Sequence, residues 1–398
     1  MRQKRIAIVY DWMDSWGGVE RMLLVLHEMF PEAQWYTSYV NRETAPWVSI
    51  LQKIHTSFIQ NLPSYIKTNR ILSLPLYPSA FENIDLRGYD LVISVSSSFA
   101  KSVITHPGTK HVCILLTPTR WLWSQEKNYM KEIPALAGMT IGKAEMAELI
   151  ARPFINHLKK WDFIASKRPD KIISISKAVA DRCKVYYHRE SEVLYPPFDY
   201  EYWGKFKFQN SNFKFQKILK PSYSAGRQVH DDKGEYFLVV SRLEPYKKVD
   251  LVIESFRRFP KKQLIIVGSG TQFSKLKIIA GENIHFIQHA TDAELGQLYA
   301  DAQALIMPQE EDFGYVALEA QFFGCPVIAY ERGGAVETVV KGKTGLFFSQ
   351  QSSQSLGDAV AQFERRKYNL GDSQAFLKKF SKELFIKKTK LLITDELL

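Results

Sequence analysis

Short apolar runs alternate with helix-like segments along the first half of the chain, and this alternation constrains the fold more than any other feature. The strand-like runs are residues 6–10, 91–95, 111–116 and 171–174. The helix-like segments include residues 20–30 and 177–187. Alternating strands and helices are typical of a parallel sheet that carries helices on both faces. The pattern therefore predicts a doubly wound α/β domain over residues 1–199.

A second series of the same kind begins at residue 236. Its strand-like runs are residues 236–240, 263–267, 284–287, 304–307 and 326–329. Between the two series, residues 200–234 are basic, polar and poor in periodicity, which indicates a linker or a surface excursion. Residues 235–372 are predicted to form a second Rossmann-like domain.

The arrangement of two such domains predicts where a ligand binds. Doubly wound domains bind ligands at the carboxyl ends of their strands, so we expect a cleft between the two domains. After Gly371 the pattern is that of one amphipathic helix from residue 373 to about residue 392. We expect this last region, residues 373–398, to pack back on the first domain.

The charge balance narrows the range of partners. The chain has 398 residues, of which 53 are Lys or Arg and 42 are Asp or Glu, giving a net charge of +11. Such a surplus indicates an anionic partner: nucleic acid, a phosphorylated ligand or an anionic membrane. We find no helix-turn-helix, zinc-finger or aromatic RNA-binding signature, so no nucleic-acid partner is predicted.

Cysteine usage and the start of the chain predict a cytoplasmic protein. Three cysteines without metal-ligand spacing suit a reducing compartment, and no apolar signal-like stretch precedes residue 6. The basic surplus also suits docking at the inner face of the membrane, although a solvated basic surface explains it equally simply. Candidate membrane contacts are Lys67, Arg70, Lys159, Lys160 and Arg168.

The strongest chemical signal lies in residues 310–320, which follow an apolar strand and lead into a helix. Glu311 lies in the loop, Gly314 allows close approach of a ligand to the backbone, and Glu319 lies two turns into the helix. The amino end of this helix offers free N–H groups and a positive dipole end to a diphosphate. Solvated helix caps are the alternative interpretation of the two glutamates.

Residues 241–250 form a second strand-to-helix loop that contains Arg242 and Lys247. A planar guanidinium and a mobile ammonium suit a diphosphate leaving group, whose growing charge they would stabilise. In so basic a chain the loop could also be a plain basic surface. Because two cations can do the work of a metal ion, and no Asp-x-Asp loop is present, we predict no metal.

Glycine pairs mark several turns. Gly17 and Gly18 follow the first strand and could form a nest of N–H groups near a phosphate or sugar oxygen, or only a tight turn. The Gly268–Gly270 turn lacks the dinucleotide fingerprint and is interpreted as structural. Gly333 and Gly334 are interpreted as part of a pocket wall or of a shaped loop.

Together these segments resemble glycosyltransferase family 4, whose members are retaining enzymes with the two-Rossmann GT-B fold. The motifs that carry the resemblance are listed here: Gly17-Gly18-Val19-Glu20, Arg242 with Lys247, Glu311 with Glu319, and Gly333-Gly334. Residues 117–121, 161–162, 182, 186–189 and 193–199 are similar to a bacterial mannosyltransferase subgroup of O-antigen and exopolysaccharide assembly. The resemblance covers nearly the whole chain.

The resemblance implies roles for individual residues. Arg242 and Lys247 would hold the diphosphate, Glu311 would face the sugar hydroxyls, and Glu319 would bind the ribose hydroxyls. The remaining residues implied in donor binding are Gly17, Gly18, His289, Ala290, Asp312, Phe313, Gly314 and Tyr315. Asp11 and Arg120 are expected on the side of the acceptor or of the transferred sugar. Before residues 117–120 the family usually has a His that contacts the sugar, and this chain has Leu116, which cannot donate a hydrogen bond.

The function implied is transfer of a hexose, with retention of configuration, from a nucleotide sugar to a saccharide or polyprenyl-linked acceptor. Subgroup likeness suggests mannose from GDP-mannose, and a UDP-sugar is the other option. No cofactor besides the substrate is predicted. Because of Leu116, the alternative hypothesis is a weakly active or non-catalytic subunit that binds a nucleotide sugar or a partner.

Overall fold

Two parallel sheets, each covered by helices, form the core of the chain. The computed structural model describes residues 4–126, 141–207, 236–364, 368, 370 and 373–394. Two compact units are present: unit 1 comprises Met1–Pro197 with Phe385–Leu398, and unit 2 comprises Phe198–Leu384. The predicted excursion at 200–234 lies outside the described residues except for its first eight positions.

Unit 1 contains a seven-stranded parallel sheet with the order β3-β2-β1-β4-β5-β6-β7. Its strands are β1 (Ile6–Tyr10), β2 (Gln34–Thr37), β3 (Ile54–Thr56), β4 (Leu91–Ser96), β5 (Lys110–Leu115), β6 (Lys171–Ser174) and β7 (Glu192–Val193). All six residues of β4 are buried, as expected for a central parallel strand covered on both faces. This burial explains why the strand appears in the sequence as a continuous run without alternation.

The helices of unit 1 cover this sheet. They are α1 (Gly18–Met29), α2 (Ser64–Lys67), α3 (Arg70–Ser73), α4 (Tyr77–Glu82), α5 (Ile141–Ala165) and α6 (Lys177–Tyr187). In α1, Met22, Leu23, Val25 and Leu26 are buried, which is the spacing of one helical face. Helix α6 is capped by Ser176, whose Oγ accepts from the N–H of Val179 at 3.1 Å.

Unit 2 contains a six-stranded parallel sheet with the order β10-β9-β8-β11-β12-β13. Its strands are β8 (Tyr236–Val240), β9 (Gln263–Val267), β10 (Ile284–Ile287), β11 (Leu305–Met307), β12 (Val327–Tyr330) and β13 (Gly345–Phe348). The remaining helices are α7 (Tyr200–Gly204), α8 (Val249–Phe256), α9 (Phe273–Ile279), α10 (Asp292–Asp301), α11 (Tyr315–Phe322), α12 (Ala335–Thr338), α13 (Ser353–Gln362), α14 (Ser373–Leu377) and α15 (Lys382–Thr394). Both sheets reverse their strand order once, so the prediction of two doubly wound α/β domains is confirmed.

The prediction of one continuous helix from residue 373 to about residue 392 is wrong. A single 3₁₀ turn, Lys378–Phe380, follows α14, and Ser381 then adopts extended backbone with φ −64° and ψ 151°. The N–H of Phe198 donates to the carbonyl of Phe380 at 2.6 Å, while the Ser381 hydroxyl accepts from the N–H of Leu384. A tertiary backbone hydrogen bond and a new helix cap therefore divide the predicted helix into two. Neither contact changes the spacing of apolar residues in the sequence, so the spacing alone predicted one helix.

The division between the units falls within α15, since Phe385–Leu398 group with unit 1. In unit 1 the Lys171 Nζ donates to the carbonyl of Leu392 at 3.3 Å. The last turns of α15 therefore pack on the unit that contains β6, whereas Ser373–Leu384 group with unit 2.

His111 in β5 gives unit 1 a dependence on pH. Its ring is fully buried, its Nε2 lies 2.8 Å from the Ser94 Oγ, and burial lowers its pKa from 6.5 to about 3. Between these two values the unfolded chain binds a proton that the folded chain does not. Stability contributed by the neutral ring is therefore complete above pH 6.5 and is lost as the pH falls toward 3.

We expect a His111→Gln variant to lose less stability than the wild type on going from pH 6.5 to pH 4.5. A single proton contributes a slope of about 1.4 kcal/mol per pH unit. Urea unfolding followed by tryptophan fluorescence at several pH values measures the difference. If the free energy of unfolding changed equally with pH in the two proteins, His111 would not be buried as a neutral ring.

Candidate active site

The strand order of unit 2 determines which loops meet. β8 and β11 are neighbours in the sheet, with Leu238 opposite Leu305. The strand that follows β8 in the chain, β9, lies on one side of this pair, and the strand that follows β11, β12, lies on the other side. At such a reversal, the loops after the two strands diverge and leave a crevice at the carboxyl ends of the strands. Residues 241–248 follow β8 and residues 308–314 follow β11, so the two predicted motifs flank this crevice.

Lys247 and Glu311 form an ion pair across the crevice. The Lys247 Nζ lies 2.5 Å from the Glu311 Oε1, and the two side chains are only 12% and 14% exposed. The Gln309 Nε2 donates to the same carboxylate oxygen at 2.6 Å. Two of the residues singled out from sequence are thus in direct contact, and one glutamate oxygen accepts from both an ammonium and an amide.

Arg242 is linked to this pair through Tyr246. The Arg242 Nη2 donates to the Tyr246 hydroxyl at 2.9 Å, and the Lys247 Nζ lies 5.4 Å from the centroid of the Tyr246 ring. Arg242 itself is exposed. Both cations therefore lie close to one tyrosine on the loop after β8, an arrangement suited to a dianionic group.

The turn at Gly268–Gly270 supports the backbone that carries Arg242. A Cβ on Gly270 would lie 2.6–2.7 Å from the backbone carbonyl and nitrogen of Leu243. The N–H of Leu243 in turn donates to the carbonyl of Ser269 at 2.8 Å. The turn is structural, as interpreted from sequence, and its function is to let two loops pack backbone against backbone.

Gly334 likewise allows close backbone packing, here against the loop that carries Glu311. Its N–H donates to the Glu311 carbonyl at 2.7 Å, and a Cβ at this position would lie 2.4 Å from the Phe313 Cα. The Gly333-Gly334 pair therefore shapes the loop before α11. The N-cap residue of α11 is Gly314, and no side-chain hydrogen bond caps this end of the helix.

The neighbours of Glu311 contribute in different ways. Phe313 is 3% exposed and packs against the rings of Tyr315 and Phe380, at centroid distances of 5.1 and 5.5 Å. Its side chain therefore belongs to the core, and only its backbone can face a ligand. Asp312 and Tyr315 are half-buried, and their roles in donor binding stay predictions.

Glu319 lies on α11 and faces α10. It is 6% exposed, and its Oε2 accepts from the hydroxyl of Tyr299, a fully buried residue, at 2.9 Å. A solvated helix cap is therefore excluded for Glu319, because the carboxylate is buried and held by a neighbour. Binding of ribose hydroxyls by this group stays a prediction.

His289 and Ala290 lie in the loop between β10 and α10. They follow β10, which is separated from β8 by β9. His289 is exposed, and the next helix starts with a capping box between Thr291 and Glu294. Their predicted proximity to a base stays a prediction.

In unit 1 the predicted glycines lie at the start of α1. Gly17 is the N-cap, Gly18 is the first helical residue, and no side chain caps this end. Glu20 in the first turn is 6% exposed and accepts from the Tyr10 hydroxyl at 2.9 Å. The Glu20 Oε2 also lies 3.3 Å from the position that a Cβ on Gly17 would take, and binding of a further anion at this end of α1 stays a prediction.

The structure corrects the placement of Asp11. Its side chain is fully buried, and its two oxygens accept from four consecutive backbone N–H groups of residues 97–100 at 2.6–3.0 Å. The carboxylate thus holds the loop after β4 and does not face an acceptor or a sugar. A buried aspartate at a strand end is easily misinterpreted from sequence, because a loop anchor and a substrate ligand occupy the same position in such folds.

The motif residues around Arg120 belong to a buried polar network. Asp162 accepts from Lys101, Thr119, Trp123 and Tyr187 at 2.6–2.8 Å. Burial, followed by the charge of Asp162, raises the pKa of Tyr187, so its hydroxyl stays protonated and donates. Arg120 is half-buried in the turn that this network fixes, and Leu116 is 5% exposed directly after β5.

Most of the basic residues considered for membrane contact have partners within the protein. Arg70 pairs with Asp14, Lys159 with Glu126 and Arg168 with Glu82, and the Lys67 Nζ donates to the Gln60 carbonyl. Lys160 is exposed. These pairings reduce the charge available to an anionic surface, and membrane docking stays a prediction.

Two general features of the described residues bear on ligands and location. None of their helices has both the length and the apolar character that crossing a membrane requires. No three His, Cys, Asp or Glu side chains in this part of the chain gather as a set of metal ligands. All three cysteines, Cys113, Cys183 and Cys325, are buried and unpaired with one another.

Three residues that were not predicted from the sequence contact predicted site residues: Tyr246, Gln309 and Tyr299. Each lies one to a few positions from a motif residue or, for Tyr299, on the preceding helix. Tyr246 sits between the two predicted cations, which is a usable signal. Gln309 and Tyr299 carry no such signal, because their importance depends on which strands and helices are neighbours.

Comparison with known families and proteins gives a consistent result for unit 2. Residues 225–383 match the family described as "Glycosyl transferases group 1". A D-inositol 3-phosphate glycosyltransferase of Mycobacteroides abscessus is 32% identical over 139 residues, which are 32% of this chain and 31% of that protein. A GDP-mannose-dependent alpha-(1-6)-phosphatidylinositol monomannoside mannosyltransferase of Mycobacterium tuberculosis is 34% identical over 140 residues, 31% of this chain and 36% of that protein. These matches span only about a third of each relative.

Solved structures extend the similarity to the whole chain at the level of the fold. Anabaena HepE in complex with UDP-glucose has a TM-score of 0.67 at 17% identity, covering 98% of this chain and 99% of that one. A sucrose-phosphate synthase of Thermosynechococcus elongatus has a TM-score of 0.67 at 15% identity, covering 99% of both chains. The predicted fold, two parallel-sheet Rossmann-like domains of the GT-B type, is therefore confirmed.

Proposed function

We propose, from the premise that residues 225–383 match the glycosyl transferases group 1 family, that this chain is a retaining glycosyltransferase. It moves a hexose from a nucleotide sugar to a saccharide or a lipid-linked saccharide acceptor. The observation that carries this proposal is the contact between Lys247 and Glu311, with Arg242 tied to the same crevice through Tyr246. Cations, a carboxylate and an uncapped helix start gather there within the matched residues.

The chemistry follows from the charges. When the bond between the anomeric carbon and the diphosphate breaks, negative charge grows on the leaving oxygens, and Lys247 and Arg242 stabilise it. Glu311 accepts hydrogen bonds from sugar hydroxyls and keeps the hexose in register with the departing group. The acceptor oxygen forms its bond to the same face of the anomeric carbon, and its proton passes to a leaving phosphate oxygen.

This scheme assigns no metal ion to the reaction. The two side-chain cations and the first amides of α11 provide the positive charge that a metal would supply. We therefore propose a metal-independent transfer.

The identity of the sugar is proposed as mannose, with GDP-mannose as donor. Support comes from the mannosyltransferase relative, whose name specifies GDP-mannose. UDP-glucose is the alternative donor to compare, since the HepE structure contains it. Leu116, which offers no hydrogen-bond donor, motivates the second hypothesis of a weakly active or non-catalytic subunit.

A thermal-shift screen with UDP, GDP, ADP and their sugars, in EDTA, tests the proposal. A ligand at 100 times its Kd stabilises the folded state by about 2.7 kcal/mol, so the correct nucleotide should raise the melting temperature clearly. Release of the nucleoside diphosphate in the presence of saccharide acceptors then measures transfer, and NMR of the product gives its anomeric configuration. Binding without release in any acceptor mixture would favour the non-catalytic subunit, and absence of any shift would refute the donor site.

A further inference from the structure

Gln309 is a buried amide at the centre of the site, and its two polar atoms have different environments. The side chain is 2% exposed and follows β11 by two residues. Its Nε2 donates to the Glu311 Oε1 at 2.6 Å. Its Oε1 is buried and, among the described residues, accepts no hydrogen bond.

The orientation of this amide is determined by its neighbour. An ionised carboxylate only accepts hydrogen bonds, so the nitrogen of the amide must face Glu311 and the oxygen must face away from it. The Lys247 Nζ lies 2.5 Å from the same Glu311 oxygen, in an ion pair in which the carboxylate is the anion. Gln309 therefore presents an acceptor at a defined position beside the carboxylate.

A buried acceptor without a donor is costly, and native proteins pair nearly all such groups. A ligand that excludes water from this position must therefore bring a hydrogen-bond donor of its own. An ionised diphosphate has only acceptor oxygens and does not qualify. A sugar hydroxyl does, and the two acceptors, on Gln309 and Glu311, suit neighbouring hydroxyls of a hexose ring.

We propose that Gln309 binds the transferred hexose: its Oε1 accepts a hydrogen bond from one sugar hydroxyl, and it thereby helps to select the sugar. This inference rests on the proposed function, because it takes the ligand at Glu311 to be a nucleotide sugar. It assigns to Gln309 a role separate from that of Lys247 and Arg242, which act on the diphosphate.

Calorimetric titration of Gln309→Met with a nucleoside diphosphate and with its sugar tests this role. Methionine keeps the approximate length of the side chain and removes both polar atoms. We expect the Kd of the diphosphate to change by less than about twofold and the Kd of the nucleotide sugar to rise about tenfold, since one paired buried acceptor is lost. The ligands used are the nucleotide and nucleotide sugar that stabilise the wild type most.

Nucleotide sugars that lack single hydroxyls identify the partner of Gln309. One deoxy donor should bind the wild type about tenfold more weakly than the parent donor, yet bind Gln309→Met as well as the parent does. Gln351→Met is the matched control, because the Gln351 Nε2 donates to the Pro308 carbonyl at 2.9 Å beside the same loop. We expect no preferential loss of nucleotide-sugar binding in this variant.

The measured affinities for the two ligands lead to different conclusions. If Gln309→Met weakens the diphosphate and the nucleotide sugar by the same factor, Gln309 only supports the loop, and the proposal is overturned. An unchanged affinity for both ligands overturns it as well. If the wild type binds neither class of ligand, the proposed function itself fails, which is a different outcome from either of these.

Discussion

Replacement of Lys247 by alanine is expected to lower the turnover number for sugar transfer by ~10²–10³-fold, equivalent to ~2.7–4 kcal/mol of transition-state stabilisation. The side chain is only 12% exposed, so in the proposed reaction its charge would act on the leaving diphosphate with little screening by water. Its loss also removes a donor from the Glu311 Oε1, the oxygen to which Gln309 donates as well. The rate of nucleoside diphosphate release at saturating donor and acceptor measures the effect.

Arg242→Ala provides an independent version of this prediction. Arg242 is exposed and contacts Tyr246, so its removal should leave the melting temperature close to that of the wild type. We nevertheless expect a rate loss of the same order, ~10²–10³-fold, because in the proposed reaction the guanidinium would stabilise the same leaving group. A loss of rate without a loss of stability would separate chemistry from folding.

Lys261→Ala is the matched control for the change of charge. Lys261 is exposed and lies just before β9, at the amino ends of the strands and therefore at the edge of the sheet away from the crevice. Its removal lowers the net charge by the same amount and should leave the turnover number unchanged. Near-normal turnover in both Lys247→Ala and Arg242→Ala would remove the diphosphate site from the proposal.

The second large effect is on stability and concerns the buried pair in unit 1. Lys101 and Asp162 are 2.6 Å apart, and their side chains are 0% and 1% exposed. In Asp162→Asn the ammonium of Lys101 would remain buried without an anion, and breaking a buried pair in this way costs ~3–5 kcal/mol. We expect the free energy of unfolding of unit 1 to fall by that amount.

Tryptophan fluorescence during urea unfolding is a suitable measurement, because seven of the eight tryptophans lie in unit 1 and only Trp203 lies in unit 2. Asp85→Asn is the control for the loss of a carboxylate, because Asp85 lies in the same unit. Asp85 pairs with Arg87 at 2.6 Å, the two side chains are 57% and 73% exposed, and such an exposed pair contributes little to stability. The two variants make the same chemical change at opposite extremes of burial.

A double variant, Lys101→Met with Asp162→Leu, distinguishes two causes of a loss of stability: a buried ammonium without an anion, and a general loss of packing. With both charges removed there is no unpaired buried ion, so this protein should be more stable than Asp162→Asn. Thr119, Trp123 and Tyr187 would still lose their acceptor, and part of the loss should therefore persist. If Asp162→Asn were no less stable than Asp85→Asn, the network would not hold the turn around Arg120.

The alternation of apolar strands with helices was sufficient to predict two doubly wound domains. This is a local signal: burial on both faces of a parallel strand requires a continuous apolar run, as in β4, and each helix repeats its apolar face within a few residues. The loops that carry Lys247 and Glu311 could also be singled out, since chemistry in such folds collects after the carboxyl ends of strands.

Features that depend on contacts between distant segments were not accessible in this way. One continuous helix was expected after residue 373, but a hydrogen bond from Phe198 to Phe380 ends the first part of it. Asp11 was expected near a substrate, but the loop of residues 97–100 takes up its carboxylate. In both cases the deciding partner is more than 80 positions away.

The site itself shows the same division. The sequence by itself determined which strands form, which loops carry charge and which two loops hold the cations and the carboxylate. Only the tertiary structure decided that Lys247 meets Glu311 across 64 positions and that Gln309 shares the same carboxylate oxygen. The physical reason is that apolar periodicity is repeated within each segment, whereas the adjacency of β8 and β11 is settled by how the whole sheet buries its strands.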